Sequence, residues 1–324
     1  MSSPPPAHTP PRISVVVPAR NEETTLPDTL PEMLRSLAGL TGRAELLVVV
    51  PEESPFTTAP PLTDENLTWI TTPCPGKYEA LCRGVAAARG DILIFLDADI
   101  VPHPGALRLL VDALTTEDID IAAGRIVVGR RDGGPIQRTL RFWMEISVAS
   151  WHLLRSDHPE LRWALPGAMY AMRRDWFPAD GLLVPILDDA SIGIRSIESG
   201  ARIGYVPEAE VNVEAPRRIR QWFRQKLRTR RAWRALRDLR PAQVAALQSE
   251  LTRNRDHLIE GNYGARFLRI LDDMMTVYAE NSRPSRAERL GVWQPDRSGS
   301  KHTRAGCAAS VPAATSAGDT GAGI

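Results

Sequence analysis

The tripeptide Asp97-Ala98-Asp99 is the segment of this sequence best suited to chemistry. It follows an apolar run over residues 91–96, and two prolines come soon after it. Two carboxylates one residue apart, at the end of a buried strand, can together hold a hard divalent cation and the phosphate oxygens that the cation bridges. The alternative is a surface turn whose two acids are solvated, because so short a pattern is common.

Short apolar runs alternate with helical patterns through the first two thirds of the 324 residues. Residues 13–17, 45–50 and 91–96 are rich in Val, Ile and Leu and are predicted strands, whereas residues 23–40 and 78–89 have apolar positions at helical spacing. Continuous apolar strands separated by helices indicate an α/β fold with a mostly parallel central sheet flanked by helices. Past the last predicted strand the pattern is helical and rich in Arg, which predicts a C-terminal helical extension.

Charged side chains follow three of these predicted strands. They lie at residues 20–22, 51–53 and 97–99. Ligands of parallel sheets bind beyond the carboxyl ends of the strands, so we expect these three segments to meet at one edge of the sheet.

Several segments, taken in chain order, resemble the family 2 glycosyltransferases. Besides Asp97-Ala98-Asp99 they are VVVPARNEE (15–23), GKYEAL (76–81), PGAMYAMRRD (166–175), LDDASIGIR (187–195), GYVPEA (204–209) and RQKLR (224–228). The resemblance covers roughly residues 13–233. It implies a GT-A fold and an inverting transfer of a sugar from a nucleotide-diphosphate donor.

The resemblance implies that the donor site begins after the first strand. Pro18, Arg20 and Glu22 would form the floor under the base and the ribose. Lys77 would approach the base or the diphosphate, although a lysine at a helix start can also be a solvated residue that only caps the helix.

The resemblance also implies a metal site. Asp97 would contact the ribose or the metal, and Asp99 would be the firmer metal ligand for Mn²⁺ or Mg²⁺. Where many family members carry a histidine after the final strand, this sequence has residues 212–216, in which Glu214 is an alternative oxygen ligand.

Two further donor contacts are implied in altered form. The family usually has an aspartate after the second strand to read the base, and here Glu52 or Glu53 stands in its place. Gln225 and Arg228 resemble a degenerate QxxRW motif, with Thr229 in the position of the tryptophan. Guanidinium groups of this segment could clamp the diphosphate, or the segment could be a solvated basic helix face.

The catalytic carboxylates implied by the resemblance are Asp188 and Asp189. Asp189 would take the proton from the acceptor hydroxyl, and Asp188 would orient the site. Inversion by direct displacement needs such a base on the side opposite the leaving group. Helix capping is the alternative role for these acids. Gly167 and Ala168, on the strand implied for the acceptor side, would contact the acceptor.

Composition indicates which partners and which cellular compartment to expect. The 40 Lys and Arg residues against 39 Asp and Glu residues give a net charge of +1, which provides no reason to expect nucleic-acid binding. The three cysteines form no CxxC pair, which fits a reducing cytosol. Cys74 and Cys82 could be metal ligands, but small core or loop residues are the simpler interpretation. Without a long apolar stretch or a secretory h-region, the sequence predicts a soluble cytoplasmic protein that lacks the membrane spans of processive synthases.

We expect five segments along the chain. Residues 1–11 and 294–324 are predicted disordered tails, because they are rich in Pro or in Ser, Ala and Gly. Residues 12–235 would form the catalytic domain, with a nucleotide-binding half over 12–100 and an acceptor half over 101–235. Residues 236–293 would form the helical extension.

Three functions remain open from the sequence. The first is transfer of one sugar from a UDP, GDP or dTDP donor to a hydroxyl or phosphate of a small or lipid-linked acceptor. The second is a non-catalytic nucleotide-binding or scaffold protein of the same fold. The third is a peripheral membrane enzyme that acts on polyprenyl phosphate, in which residues 217–237, with Trp222, Phe223 and Trp233, meet anionic headgroups.

Overall fold

The structure is a computed structural model that describes residues 12–40, 44–73, 76–129 and 133–282. The predicted tails, at residues 1–11 and 294–324, lie outside the described residues. Cys74 and Cys307 also lie outside them, whereas Cys82 is a half-buried free thiol on the helix over residues 77–87 and packs toward the sheet.

Eight strands of the described residues form one sheet. They are β1 Ile13–Pro18, β2 Ala44–Pro51, β3 Leu67–Thr72, β4 Ile92–Leu96, β5 Val101–Pro102, β6 Ile121–Val128, β7 Met169–Arg173 and β8 Ile203–Val213. The α-helices of the same residues are α1 Leu26–Leu37, α2 Lys77–Ala87, α3 Ala106–Thr116, α4 Pro135–Asp157, α5 Asp188–Glu198, α6 Ile219–Leu239, α7 Pro241–Leu258 and α8 Tyr263–Asn281. This alternation confirms the predicted α/β class.

The strand order is β3-β2-β1-β4-β7-β6-β8-β5. Strands β3, β2, β1 and β4 are parallel, as are β6 and β8, whereas β7 is antiparallel to both of its neighbours and β5 is antiparallel to β8. The sheet is therefore mixed. The chain leaves β6 and enters β7 at the same edge, which forces β7 to run in the opposite direction.

The strand registers bring distant segments to one level of the sheet. Val16 pairs with Phe95, and Leu96 pairs with Met169. Pro18, Asp97 and Ala168 consequently stand side by side at the edge where the parallel strands end. This is the edge predicted for ligand binding.

Apolar layers cover both faces of the sheet. On one face, α1 and α3 contribute buried residues such as Leu30, Met33 and Leu110. On the other face, α2 lies directly on β1: a Cβ at Gly84 would be 2.4 Å from Cγ1 of Val16. This close approach, which only glycine permits, fixes the height of α2 above the sheet.

Arg174 fixes the end of α2. Its guanidinium donates hydrogen bonds to the carbonyls of Val85 at 3.0 Å, Ala88 at 2.7 Å and Gly90 at 2.8 Å. The last carbonyls of a helix lack intrahelical donors, and a cation there also interacts favourably with the helix dipole. Arg174 therefore holds α2 in place, and with it Lys77 at the start of the helix.

The last three helices pack on one another and on α4. Helix α6 continues through residue 235 to Leu239, so the predicted domain boundary falls inside a helix. Buried Asp272 of α8 accepts hydrogen bonds from Arg230 at 2.5 Å and Arg255 at 2.7 Å, which joins α6, α7 and α8. Across the described residues, no helix is both long enough and apolar enough to span a bilayer.

Packing corrects one expectation about the Arg-rich segment. Trp222 is buried in a cluster with α4 and α8 residues, and Trp233 packs against Trp151 and Trp163 with ring centroids 6.2 Å apart in each case. Trp222 therefore cannot meet headgroups, and Trp233 is half-buried against these rings. Phe223 is exposed, as expected.

We expect Gly193→Ala to lower the free energy of unfolding by about 2 kcal/mol, because overpacking forces a shift of the backbone. Gly193 lies on α5, where a Cβ would be 1.9 Å from the carbonyl oxygen of Trp163. Urea unfolding measures the change. Gly39→Ala, whose Cβ would meet its nearest atom at 3.7 Å, is the matched control. Equal stability of the two variants would contradict the close packing of α5.

Candidate functional site

Lys77 joins carboxylates from the two halves of the sheet. Its Nζ lies 2.8 Å from Oδ1 of Asp97, at the end of β4, and 3.3 Å from Oδ2 of Asp188, at the start of α5. Asp188 is buried, and Lys77 and Asp97 are each about one third exposed. Burial by itself would lower the pKa of Lys77, but the carboxylates of Asp188 and Asp97 raise it well above its ordinary value. Lys77 is therefore a fixed ammonium at neutral pH.

Asp189 presents one oxygen to the protein and one to the site. Its Oδ1 accepts a hydrogen bond of 2.7 Å from the backbone N–H of Ala190. Its Oδ2 faces Gly167, where a Cβ would be only 2.7 Å away. Only glycine at position 167 lets Oδ2 of Asp189 approach this strand so closely. Burial, and then repulsion from Asp188, raises the pKa of Asp189 to about 6, although Lys77 acts in the opposite direction.

Backbone contacts hold the Asp97-Ala98-Asp99 segment in place. The N–H of Asp97 donates to the carbonyl of Ala168 at 3.1 Å, and the Thr29 hydroxyl of α1 donates to the carbonyl of Ala98 at 2.7 Å. Gly167 and Ala168, predicted on the acceptor side, are therefore next to both Asp97 and Asp189.

The turn after β1 brings two more predicted residues to this edge. Asn21 has φ of 57°, a left-handed conformation that Asn tolerates better than most residues. Glu22 accepts a hydrogen bond from the hydroxyl of Thr25, and Arg20 is half-buried, with the carboxylate of Glu53 near it. Burial lowers the pKa of Arg20, and the charge of Glu53 opposes that effect.

Negative charge accumulates at this edge. Desolvation of its carboxylate by the surrounding segments raises the pKa of Asp99 to about 6, with a further contribution from Asp97. Burial raises the pKa of Glu22 to about 7; the hydrogen bond from Thr25 opposes this, and repulsion by Asp99 and Asp97 adds to it. Each raised pKa marks a carboxylate whose ionised form costs free energy in the folded chain. A divalent cation among these oxygens would relieve that cost, so the donor set fits Mn²⁺ or Mg²⁺.

The described residues supply only part of a coordination sphere. No three of their Asp, Glu, His or Cys side chains form a ready metal cluster. Asp97 and Asp99 could thus provide protein ligands, with water or a diphosphate to complete the sphere.

Tyr170 is a site residue that the sequence analysis missed as such. It is buried on β7, and its hydroxyl has no hydrogen-bond partner among the described residues. It lies close to Lys77, Asp97, Gly167 and Asp188, around a crevice too narrow to hold a water molecule. Burial, and then the charge of Asp188, raises the pKa of Tyr170. Tyrosine on an apolar strand resembles any core residue in the sequence, so no local pattern pointed to it.

Other predicted residues lie apart from this centre. Glu214 lines an open cavity of about 240 Å³ beyond the ends of β6 and β8, with Gln137, Arg141 and Arg217. Glu52 is exposed after β2, and its N–H continues the pairing with β3. The roles of Glu52 and Glu214 remain predictions.

Gln225 and Arg228 also remain predictions. They lie on α6, which packs mainly against α4, α7 and α8 rather than against the strands.

Comparison with known proteins supports a family assignment. A sequence model described as glycosyltransferase like family 2 matches residues 10–232. The chain is 26% identical over 233 residues to the probable glycosyltransferase YdaM of Bacillus subtilis, an alignment that covers 67% of this chain and 54% of that protein. It is 37% identical over 116 residues to the glucosyl-3-phosphoglycerate synthase of Mycolicibacterium paratuberculosis, covering 33% of this chain and 34% of that protein.

A longer match exists among the same synthases. The glucosyl-3-phosphoglycerate synthase of Mycolicibacterium smegmatis is 30% identical over 218 residues, which cover 59% of this chain and 69% of that protein. The chain spans about half the length of YdaM and about a third of the M. paratuberculosis protein. Among solved structures, the glucosyl-3-phosphoglycerate synthase of Mycobacterium tuberculosis with Mn²⁺, UDP and phosphoglyceric acid is 25% identical at a TM-score of 0.48, over 70% of this chain and 78% of that chain.

We expect Lys77→Met to lower the free energy of unfolding by about 2 kcal/mol, a value reduced from that of a fully buried pair because Lys77 and Asp97 are partly exposed. The loss arises because Asp188 would keep a buried charge without its ammonium. Adding Asp188→Asn should recover part of the loss, which a double-mutant cycle by denaturant unfolding measures. Arg83→Met, which breaks an exposed ion pair with Glu79 on the same helix, is the control and should cost less than about 0.5 kcal/mol. Additive effects of the two site substitutions would show that Lys77 and Asp188 are not coupled.

Proposed function

Since this chain belongs to the glycosyltransferase-like family 2, we propose that it moves one sugar from a nucleotide-diphosphate sugar to an acceptor hydroxyl with inversion at the anomeric carbon. One observation carries the proposal. Lys77 connects Asp97, the carboxylate predicted for the donor, to Asp188, the neighbour of the predicted base Asp189. The residues proposed for the sugar donor and those proposed for the acceptor are thus joined by the ion pairs of Lys77.

Asp189 is the proposed general base. With a pKa of about 6 it is ionised at neutral pH and is a stronger base than an ordinary aspartate. Its Oδ2, beside the bare backbone of Gly167, takes the proton of the acceptor hydroxyl. The acceptor oxygen forms the new bond to the anomeric carbon on the face opposite the diphosphate. The bond from that carbon to the diphosphate oxygen breaks, and its electron pair leaves with the nucleoside diphosphate.

Asp97 and Asp99 would hold the divalent cation. When bound, Mn²⁺ or Mg²⁺ would supply Lewis-acid neutralisation of the departing diphosphate. Lys77 remains positioned by Asp97 and Asp188 and adds positive charge on the side of the leaving group. Pro18 and the turn with Arg20 and Glu22 would bind the nucleoside, while Gly167 and Ala168 would border the acceptor.

The proposed acceptor is a small polar molecule that bears an anionic group. The relatives named glucosyl-3-phosphoglycerate synthase support this class through the product in their name. Arg141 and Arg217 line a cavity beyond the ends of β6 and β8 together with Glu214, and Arg141 also pairs with Glu145, so an anionic group of the acceptor would compete with these carboxylates for the two arginines.

We expect Asp189→Asn to lower the transfer rate by roughly 10²- to 10⁴-fold, because an amide cannot accept the acceptor proton. In the wild type, the rate should rise with pH through about pH 6, because the protonated carboxyl of Asp189 cannot accept the acceptor proton. Steady-state rates over pH 5 to 8, roughly the range that brackets this pKa, measure both effects. Asp112→Asn, on α3 and away from the site, is the control. Full turnover by Asp189→Asn would remove the base assignment.

We expect a UDP-, GDP- or dTDP-sugar to raise the melting temperature, and to do so more strongly with Mn²⁺ or Mg²⁺, because a ligand of the folded state stabilises it according to its affinity. Thermal shift assays with each donor and metal measure this. Asp99→Asn should lose the metal-dependent part, whereas Asp112→Asn should keep it. Nucleotide binding without any sugar transfer would instead favour the non-catalytic alternative, and no binding of any donor would refute the proposal.

A further inference from the structure

Helix α8 exposes apolar residues where a surface helix normally exposes polar ones. Ile270, Met274, Val277 and Tyr278 are between 56% and 63% exposed. Their spacing places them on one side of the helix. The opposite side buries Asp272, Met275 and Ala279 against the neighbouring helices. Helix α8 thus exposes apolar side chains to solvent and buries a charged one, the reverse of an ordinary surface helix. A contiguous exposed apolar patch of this kind commonly marks a contact surface.

The first turns of α6 extend this apolar patch. Phe223 contacts Tyr278, with ring centroids 6.3 Å apart, and Ile219 lies one helical turn before Phe223. Ile219 is 55% exposed and Phe223 is 37% exposed. We define the α6–α8 face as these two residues together with the four apolar residues of α8.

Positive charge borders the α6–α8 face. Arg218, Arg220 and Arg224 flank Ile219 and Phe223 in the sequence, and all three are exposed. Farther along α6 the basic residues turn inward, where Arg230 binds Asp272 and Arg234 donates to the carbonyl of Ala279. The exposed arginines are therefore concentrated at the end of α6 where the apolar side chains are also exposed.

We propose that the α6–α8 face docks on an anionic lipid bilayer. Apolar side chains on two packed helices would enter the headgroup region, and the flanking arginines would bind lipid phosphates, as in other peripheral membrane surfaces. The arginines also argue against self-association through this face, because a second copy would bring like charges together. The docking does not depend on the proposed sugar transfer.

Vesicle cosedimentation of the full chain tests the proposal. The protein should bind vesicles of phosphatidylcholine with phosphatidylglycerol, bind them less at high salt, and bind pure phosphatidylcholine weakly. Arg218→Gln with Arg220→Gln, and separately Met274→Glu with Val277→Glu, should each weaken binding roughly tenfold or more. The controls are Arg35→Gln with Arg83→Gln for charge, and Leu239→Glu for an exposed apolar residue about 30 Å along α6 from Ile219. Absence of wild-type binding, or equal losses in the controls, would overturn the proposal.

Hydroxyl-radical footprinting of the wild type distinguishes the other possible occupants. Met274 and Tyr278 should be oxidised readily without lipid and protected by anionic vesicles. Protection without lipid would mean that another part of the chain or a second copy covers the face, which would overturn the proposal. Light scattering then tells these cases apart, since only self-association changes the mass. Unchanged oxidation on vesicles that bind the protein would show that another surface docks.

Discussion

The shared ammonium of Lys77 is the interaction on which the site depends. Asp97 directly follows β4, a strand of the parallel half of the sheet. Asp188 begins α5, the helix that follows the antiparallel strand β7. Without the ammonium of Lys77 between them, the carboxylates of Asp97 and Asp188 would repel each other at a partly buried site. Lys77 allows both halves to bring acids to one edge. The remaining excess of negative charge, at Glu22, Asp99 and Asp189, is what makes the edge suited to a divalent cation.

Close backbone contacts position the two helices that carry Lys77 and Asp188. Gly84 lets α2 lie on β1, and Gly193 lets α5 lie against the backbone of Trp163, so each helix start reaches the sheet edge. Arg174 then anchors the far end of α2 by three carbonyl hydrogen bonds. Tyr78, next to Lys77, donates to the carbonyl of Pro178 and connects α2 to the loop before α5. The two helices that carry the charged residues are thus attached to each other as well as to the sheet.

The arginines of the C-terminal helices have two different environments, one buried between the helices and one exposed to solvent. Arg230 and Arg255 meet the buried Asp272 and hold three helices together. The arginines at the beginning of α6 stay exposed beside an apolar surface. Net charge near zero therefore conceals three local regions: an acidic sheet edge, a basic cluster inside the helices and a basic rim around the apolar face.

The sequence alone determined the three strands β1, β2 and β4, the acids that follow them and the family, because continuous apolar runs and short motifs are local properties of the chain. It predicted Lys77 and Asp189 as site residues, but only the tertiary structure decided that Lys77 contacts Asp97 and Asp188. The raised pKa of Asp189, the buried hydroxyl of Tyr170, the inward packing of Trp222 and the exposed face of α8 were likewise decided by the fold. Burial and charge pairing depend on segments that are far apart in the chain, and no local pattern records which of them will meet.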